Sequence, residues 1–577
     1  MGTMLSKVRL SGRQVACLVL LTLAASVAEM MLPTILATMI DTGVKSASRG
    51  FLISLGIVMA VMATVSCAAN VAGTRISARI SSHFAADLRR EIFYKVQDLS
   101  SSEIDHFGTA SLVTRSTSDV TNVQSFLTLL LRMGIMAPLM AIAGLVLSSA
   151  TGGKVSSVLN TAIPVLLIVS VIILVAAGSY STKMRKMIDR INTLFLETLE
   201  GVRVIRAFNK QETEIARFGD ANASLSHLMV GSGRLTGALM PAITAIFGVT
   251  TTAVMALGSV YVSQGQMEVG ALVANSQYIS MILMSIIMLA AVIMMLPNAL
   301  TCANRIAEVL AAESSLKDGD KTLADKTASA TVEFRNVSFV YPGAEEPVLQ
   351  NISFTAKPGE VTAIIGRTGC GKSSLVKLVP RLYDATVGHI FVDGIDVRDY
   401  AIADLRSVIG YVPQKNVLFS GDIASNLNFG KENGTDEDWE RAARISCADE
   451  FIARKADGFH EHIAQGGTNL SGGQRQRLAI ARAVMKQPEV YLFDDSFSAL
   501  DMKTDRQLRQ NLREAAGDAT IIMVAQRIGT ILDADRIIVL EDGEVAGMGT
   551  HRELLRDCPM YREMAELQLG KEAVENE

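Results

Sequence analysis

Six stretches long enough to cross a lipid bilayer fill most of the first 304 residues, and they constrain the fold more than anything else in the chain. A hydrocarbon core of ~30 Å needs about 20 consecutive apolar residues in a helix. Between charged residues the chain offers Phe51–Thr74, Met133–Gly153, Val155–Thr182, Leu235–Met267 and Val269–Asn304. Before them lies Gln14–Ile40, interrupted by Glu29 alone. Six crossings return the chain to the side on which it began. Such a front half excludes an ordinary soluble enzyme and a disordered scaffold.

Lys and Arg set the orientation. The N-terminus carries Lys7, Arg9 and Arg13. The loop after span two carries Arg75, Arg79, Arg89, Arg90, Lys95 and Arg115. The loop after span four carries Lys183, Arg185, Lys186, Arg190, Arg203, Arg206 and Lys210. The alternate loops hold only Lys45, Arg49 and Lys154. Both termini are therefore expected in the cytosol, with the first span an uncleaved anchor. The two basic loops, about 50 residues each, keep helical spacing, as in Ile188, Ile191, Leu194, Phe195 and Leu199. The membrane helices are thus expected to run on into the cytosol and turn there, as stalks able to carry force. Met1–Ser6 fits a myristoylation pattern, read as coincidence beside six spans.

Charge divides the chain. Residues 1–310 hold 23 Lys and Arg against 16 Asp and Glu, and the remainder 31 against 42. The acidic back half, without a basic aromatic patch, speaks against a nucleic-acid partner. Cys17, Cys67, Cys302, Cys370, Cys447 and Cys558 show no metal-like spacing, so neither zinc nor a disulfide is expected.

From about residue 330 short β-rich runs alternate with helices: Val332–Phe339, Val361–Ile365, Ile390–Val392, Ile409–Val412, Val490–Phe493, Thr520–Val524 and Arg536–Leu540. That alternation predicts an α/β domain with a largely parallel sheet. The expected organisation is a transmembrane domain over 1–311, a linker over 312–330 and a nucleotide-binding domain over 331–577. The fold class is α + α/β: a six-helix membrane bundle with cytoplasmic extensions, then a P-loop domain.

Val361–Ile365 runs into Gly366, Arg367, Thr368, Gly369, Cys370, Gly371, Lys372, Ser373 and Ser374, a phosphate-binding loop between strand and helix. Its glycines let consecutive N–H groups and the helix N-terminus face the phosphates. Lys372 supplies charge to the β- and γ-phosphates, and Ser373 a hydroxyl to Mg²⁺. The apolar run Val490–Phe493 ends in Asp494, where a Mg²⁺-directed carboxylate belongs. ATP with Mg²⁺ is the expected cofactor pair.

With these residues in place the chain resembles the ATP-binding cassette (ABC) transporters, as a half-transporter of exporter type. Leu470, Ser471, Gly472, Gly473 and Gln474 match that family's signature. Gln414 fits its Q-loop, which also approaches the Mg²⁺, and Ser498–Asp501 fits its D-loop. Tyr341 fits the aromatic that stacks on adenine, and Glu197–Phe208 resembles the second cytoplasmic loop. The resemblance implies a head-to-tail pair of cassettes in which one chain's signature closes on the partner's ATP. It also implies closure carried through Gln414 to the membrane bundle.

Three departures matter. The family's catalytic glutamate is Asp495 here, shorter by one C–C bond, although a base must reach within ~2.6–3.2 Å of its proton. The switch histidine is Gln526, which donates hydrogen bonds but carries no charge. Both changes resemble the degenerate half of heterodimeric bacterial multidrug exporters. The expected partner is a second half-transporter bearing Glu and His; a homodimer with two such sites is the competing arrangement. His462–Gly467 also replaces an acidic-and-arginine stretch, implying asymmetric cross-talk.

Glu29 is the acidic residue inside a span, and intramembrane carboxylates mark substrate paths. With Met281, Met284, Met288, Met294 and Met295 on span six, it favours amphipathic small molecules, drug- or lipid-like. Compact layout suggests a bacterial inner membrane. An importer on the same fold, or an ATP-binding regulatory subunit without transport, are the alternatives.

Overall fold

The computed structural model describes residues 12–43, 49–327 and 330–575. Met1–Ser6, Lys7, Arg9 and Lys45 lie outside the described residues. The chain forms two compact units. One comprises residues up to Gln97 with Thr109–Ala312; the other comprises Asp98–Gly108 with Glu313 onward.

In the first unit each expected span falls largely in a long helix, Gly12–Thr38, Arg49–Asp98, Val120–Gly152, Ser156–Glu200, Gln211–Ser263 and Val269–Ala311, although the expected Gln14–Ile40, Met133–Gly153, Val155–Thr182 and Leu235–Met267 overrun their helices by one to four residues. Among the described residues five of these are long and apolar enough to cross a membrane, and Ser156–Glu200 holds the fourth expected span. The extensions follow from composition. No Gly or Pro falls between Thr74 and Asp98, or between Thr182 and Glu200, so nothing breaks the helix once it leaves the apolar run. The turns are short helices, Ser101–Phe107 and Val202–Ala207. Val269–Ala311 packs against Val120–Gly152 and Gly12–Thr38, while Ser156–Glu200 pairs with Gln211–Ser263. Buried polar side chains pin the packing: Thr34 Oγ1 lies 2.7 Å from Tyr278 Oη, and Ser148 Oγ donates to Asn275 Oδ1 at 2.6 Å. Toward the lower ends, Arg115 pairs with Glu308 at 3.0 Å and Arg305 with Asp119 at 3.2 Å.

The second unit holds a six-stranded sheet in the order Glu544–Gly549, Arg536–Glu541, Val361–Gly366, Thr520–Val524, Val490–Asp494, Ile409–Val412. All neighbours are parallel except the first pair. Along Val361–Gly366 side chains alternate between two cores, Val361, Ala363 and Ile365 to one face and Ile364 to the other, where Leu375 and Val379 of the following helical segment share its cluster. A strand buried on both faces reads as a continuous apolar run. This six-stranded sheet is the largely parallel sheet that the alternation predicts. A second, antiparallel sheet stands beside it, in the order Leu349–Ala356, Val332–Phe339, Val387–Val392, Ile395–Asp396.

The segment expected as a linker is bound to this second unit. Gly319 N–H donates to Tyr400 O at 3.1 Å, Lys321 N–H to Asp399 O at 2.9 Å, and Ala401 N–H to Lys321 O at 2.8 Å. A Cβ on Gly319 would stand 2.2 Å from Asp399 O, so only glycine lets the two strands of backbone meet. Lys326 Nζ lies 2.9 Å from Asp393, which is fully buried, and 2.5 Å from Glu489. Removing one member of a buried ion pair leaves its partner uncompensated, at a cost of about 3–5 kcal/mol. Lys326→Met is expected to destabilise the second unit by that order in calorimetric unfolding of the full chain; an unchanged transition would show that the pair holds nothing.

Candidate nucleotide-binding site

Parallel pairing brings the chemistry to one edge. Val524 lies opposite both Ile364 and Asp494, and Val412 opposite Phe493. The segments leaving those strands, Gly366–Gly371, Asp494–Ser498, Gln526 and Gln414, therefore emerge at the carboxyl ends of neighbouring strands, where open α/β sheets bind ligands.

The loop Gly366–Gly371 wraps tightly. Gly369 and Gly371 have φ of +90° and +95°, conformations that cost a side-chain residue strain. A Cβ at Gly366 would meet Leu540 O at 2.2 Å. Lys372 Nζ donates to Gly366 O at 2.7 Å and to Arg367 O at 2.8 Å, so its ammonium is folded back over the loop. Cys370 Sγ lies 3.7 Å from the same Nζ, and Arg367 reaches out to Glu563 at 3.4 Å. The next side chain, Ser373, donates through Oγ to Asp494 Oδ1 at 2.7 Å. A hydroxyl and a carboxylate in contact beside a lysine fit Mg²⁺ carried in by a triphosphate. Ser374 Oγ is 3.0 Å from the hydroxyl of Tyr341, which ties that ring to the helix that follows the loop.

Asp494 and Asp495 are both buried, 1% and 8% exposed. Burial raises both carboxyls above the usual range; Ser373 pulls Asp494 back, Gln414 pulls Asp495 back, and Asp494 pushes Asp495 further up. Asp495 sits at φ +52°, its N–H on Val524 O at 3.2 Å. One of its oxygens collects two amides: Gln526 Nε2 donates to Oδ2 at 2.7 Å and Gln414 Nε2 to the same atom at 3.5 Å. Gln526 is itself braced, since Gln568 Nε2 donates to its backbone O at 3.1 Å. The two departures and the Q-loop residue thus form a single hydrogen-bonded cluster, which their separation by 81 and 31 residues does not disclose.

The signature opens the helix Gly472–Met485. Ser471 caps it: its Oγ accepts from Gln474 N–H at 3.2 Å while Gln474 Oε1 accepts from Ser471 N–H at 2.9 Å. Leu470 is buried, its carbonyl held by Arg475 at 2.8 Å. Among the described residues none of these bonds reaches the P-loop; Gly472 and Gly473 instead lie beside Ala499. His462–Gly467 precedes it with Gly466 and Gly467 at φ +68° and +67°.

Two family models cover the chain: ABC transporter transmembrane region over residues 15–287, and ABC transporter over residues 349–498. The chain belongs to the ABC transporter family. An ABC transporter ATP-binding protein of Mycobacterium tuberculosis is 39% identical over 557 residues, covering 96% of this chain and 95% of that one. An ATP-dependent lipid A-core flippase of Syntrophus aciditrophicus is 30% identical over 509 residues, covering 86% and 82%. Among solved structures, a bacterial Atm1-family ABC exporter with ATP bound matches with a TM-score of 0.79 at 25% identity, covering 96% and 98%. This ABC transporter is accordingly a multi-pass membrane protein of exporter type whose cassette is an ATPase domain.

Lys372→Ala is expected to weaken ATP binding at least tenfold, the worth of charge-assisted bonds to phosphate, in a fluorescent-nucleotide titration; undiminished affinity would exclude Lys372. The pH behaviour follows from the raised Asp495. Its charged form is lost as pH falls through a value above the ordinary aspartate range, so any hydrolysis that uses it declines there, and Asp495→Asn removes that limb from a pH–rate profile.

Proposed function

We propose that this ABC transporter works as one half of a heterodimeric exporter of amphipathic small molecules, drug- or lipid-like, and that its own site binds ATP·Mg²⁺ but hydrolyses it poorly. The observation that carries the reading is the 2.7 Å bond from Gln526 to Asp495. A base must turn its free oxygen toward the attacking water. Here the carboxylate is short and one oxygen is engaged by neutral amides that cannot accept its proton. Lys372, Ser373 and Asp494 remain assembled, so binding survives where catalysis fades. Gly472 and Gly473, at the helix N-terminus, offer N–H donors to a second ATP on the partner, and Ser471 its hydroxyl.

The partner follows from surfaces as well as motifs. Phe93, Tyr94, Phe195, Leu199 and Phe208 are exposed on segments expected in the cytosol, where water leaves apolar side chains seeking cover. Cytosolic termini and a bacterial inner membrane complete the placement. The lipid A-core flippase relative supports a lipid-like cargo. In the membrane, Glu29 is half-buried and makes no ion pair among the described residues, which suits the cationic end of an amphiphile. The methionines divide: Met281 packs with Met30, Met136 and Tyr278, and Met295 beside Phe126, while Met284 and Met294 stand exposed.

Capture of the tagged chain from its native membrane, with intact-complex mass, is expected to show a 1:1 pair with a half-transporter bearing Glu and His; a self-pair would overturn the heterodimer. In that pair, single-turnover chemistry should show one fast and one slow ATP, and two fast ones would overturn the impaired site. Asp495→Glu with Gln526→His is expected to speed the slow phase about a hundredfold, and either change alone less than tenfold. Tyr341→Ala should weaken ATP binding about tenfold through lost stacking, while inorganic tripolyphosphate binds unchanged.

A further inference from the structure

The helix Ser101–Phe107 belongs with the second unit, although the long helices on either side of it belong to the first. Two side-chain bonds hold it there. Tyr383 Oη donates to Asp105 Oδ2 at 2.7 Å, and Ser100 Oγ lies 3.0 Å from Ser315 Oγ. The helix is a rigid handle, since Ser100 and Glu103 form a capping box at its start.

Tyr383 has a second neighbour. Its ring meets Tyr341 edge-on, centroids 5.3 Å apart at 83°, and Phe339 at 5.7 Å. Tyr341 in turn packs on Phe339 at 4.7 Å and touches Ser374. Tyr383 is only 8% exposed, so its ring cannot swing aside without moving Tyr341 or Phe339. One side of this aromatic cluster is the platform at the phosphate loop; the other is a single phenol–carboxylate bond.

We propose that Tyr383 and Asp105 form a relay that reports occupancy of the Tyr341 platform by a nucleobase to the helix Ser101–Phe107. A base laid on Tyr341 fixes that ring, and its edge contact fixes Tyr383. The phenol is then held on Asp105 within the narrow range of distance and angle a hydrogen bond tolerates. Asp105 is covalently continuous with the helices Arg49–Asp98 and Val120–Gly152 through the short segments between them, so anchoring it steadies their lower ends. Phosphate contacts at Lys372 and Ser373 meet this path only at the rim of the Tyr341 ring, where its hydroxyl touches Ser374, and leave the ring face on which a base would lie uncovered. The relay rests on reading Tyr341 as the adenine platform; Tyr341→Ala affinity tests that reading separately.

Hydrogen exchange on the full chain in lipid nanodiscs tests the relay without knowledge of the cargo. In the native sequence, Mg·ATP is expected to slow exchange in both the Lys372–Leu378 and Ser101–Phe107 peptides, the latter about tenfold, the factor one charge-assisted bond carries. Magnesium tripolyphosphate should slow only the first. In Tyr383→Phe and Asp105→Ala, ATP should still protect Lys372–Leu378 but no longer Ser101–Phe107. Asp105→Asn, which keeps an acceptor for the phenol but not the charge, should retain part of the protection, and the double variant Tyr383→Phe/Asp105→Ala should be no worse than either single one. Protection of Ser101–Phe107 by tripolyphosphate, or its persistence in Tyr383→Phe, would overturn the relay. So would loss of protection at both peptides in Tyr383→Phe, since the phenol would then serve the nucleotide site itself. If Tyr341→Ala leaves ATP affinity unchanged, the platform reading fails instead.

Discussion

The register of a few parallel strands determines what this cassette can do. Val361–Gly366 lies between Arg536–Glu541 and Thr520–Val524, and the ladder aligns Ile364, Val524 and Asp494 across three strands. Because side chains alternate along a strand, a slip of one residue would turn Asp494 into the core and present an apolar face to the phosphates. The apolar side chains at these positions, buried on both faces, forbid that slip. Catalytic geometry here is a by-product of hydrophobic registration. The loop glycines, Asp494 and Gln526 are placed by strands that carry none of these side chains' chemistry.

Within that frame the cluster around Asp495 has its own logic. A carboxylate that must act as a base needs a free oxygen and a neighbour able to take up charge. Asp495 instead meets two amides, whose dipoles stabilise it without exchanging protons. On the function proposed above, such a site would hold a nucleotide for long periods, and a nucleotide slow to leave would act as a structural element of an interface. The buried bond from Ser373 to Asp494 and the helix tie through Tyr341 serve that end equally well.

Much of this was legible beforehand, and the gaps have physical causes. Spans and P-loop were readable because each is local: a run of apolar residues, or a short sequence whose backbone must do one thing. The strand Leu349–Ala356 escaped because Asn351, at φ +50°, shifts its alternation midway. Glu544–Gly549 escaped because its two glycines and charged first residue leave little apolar pattern. The binding of residues 313–327 to the cassette runs largely through backbone groups, which composition does not register. Tyr383 and Asp105 stand 278 residues apart, and no pattern in either neighbourhood announces the other. The hydrogen bond from the Gln526 amide to Asp495 follows from two adjacent-strand departures occurring together, since both lie at the same sheet edge.

Prolines interrupt five of the six long helices, at Pro33, Pro138, Pro164, Pro241 and Pro297; Arg49–Asp98 has none across its 50 residues. A helix without a proline lacks the commonest site of a sharp kink. At 1.5 Å per residue it is about 75 Å long, so a tilt of about 10° at one end sweeps the other through about 13 Å. Leverage of that kind converts a displacement the size of a side chain into one the size of a passage through a bilayer. The five neighbours, each with a proline that removes one hydrogen bond of its ladder, have a place at which to bend and accommodate the sweep.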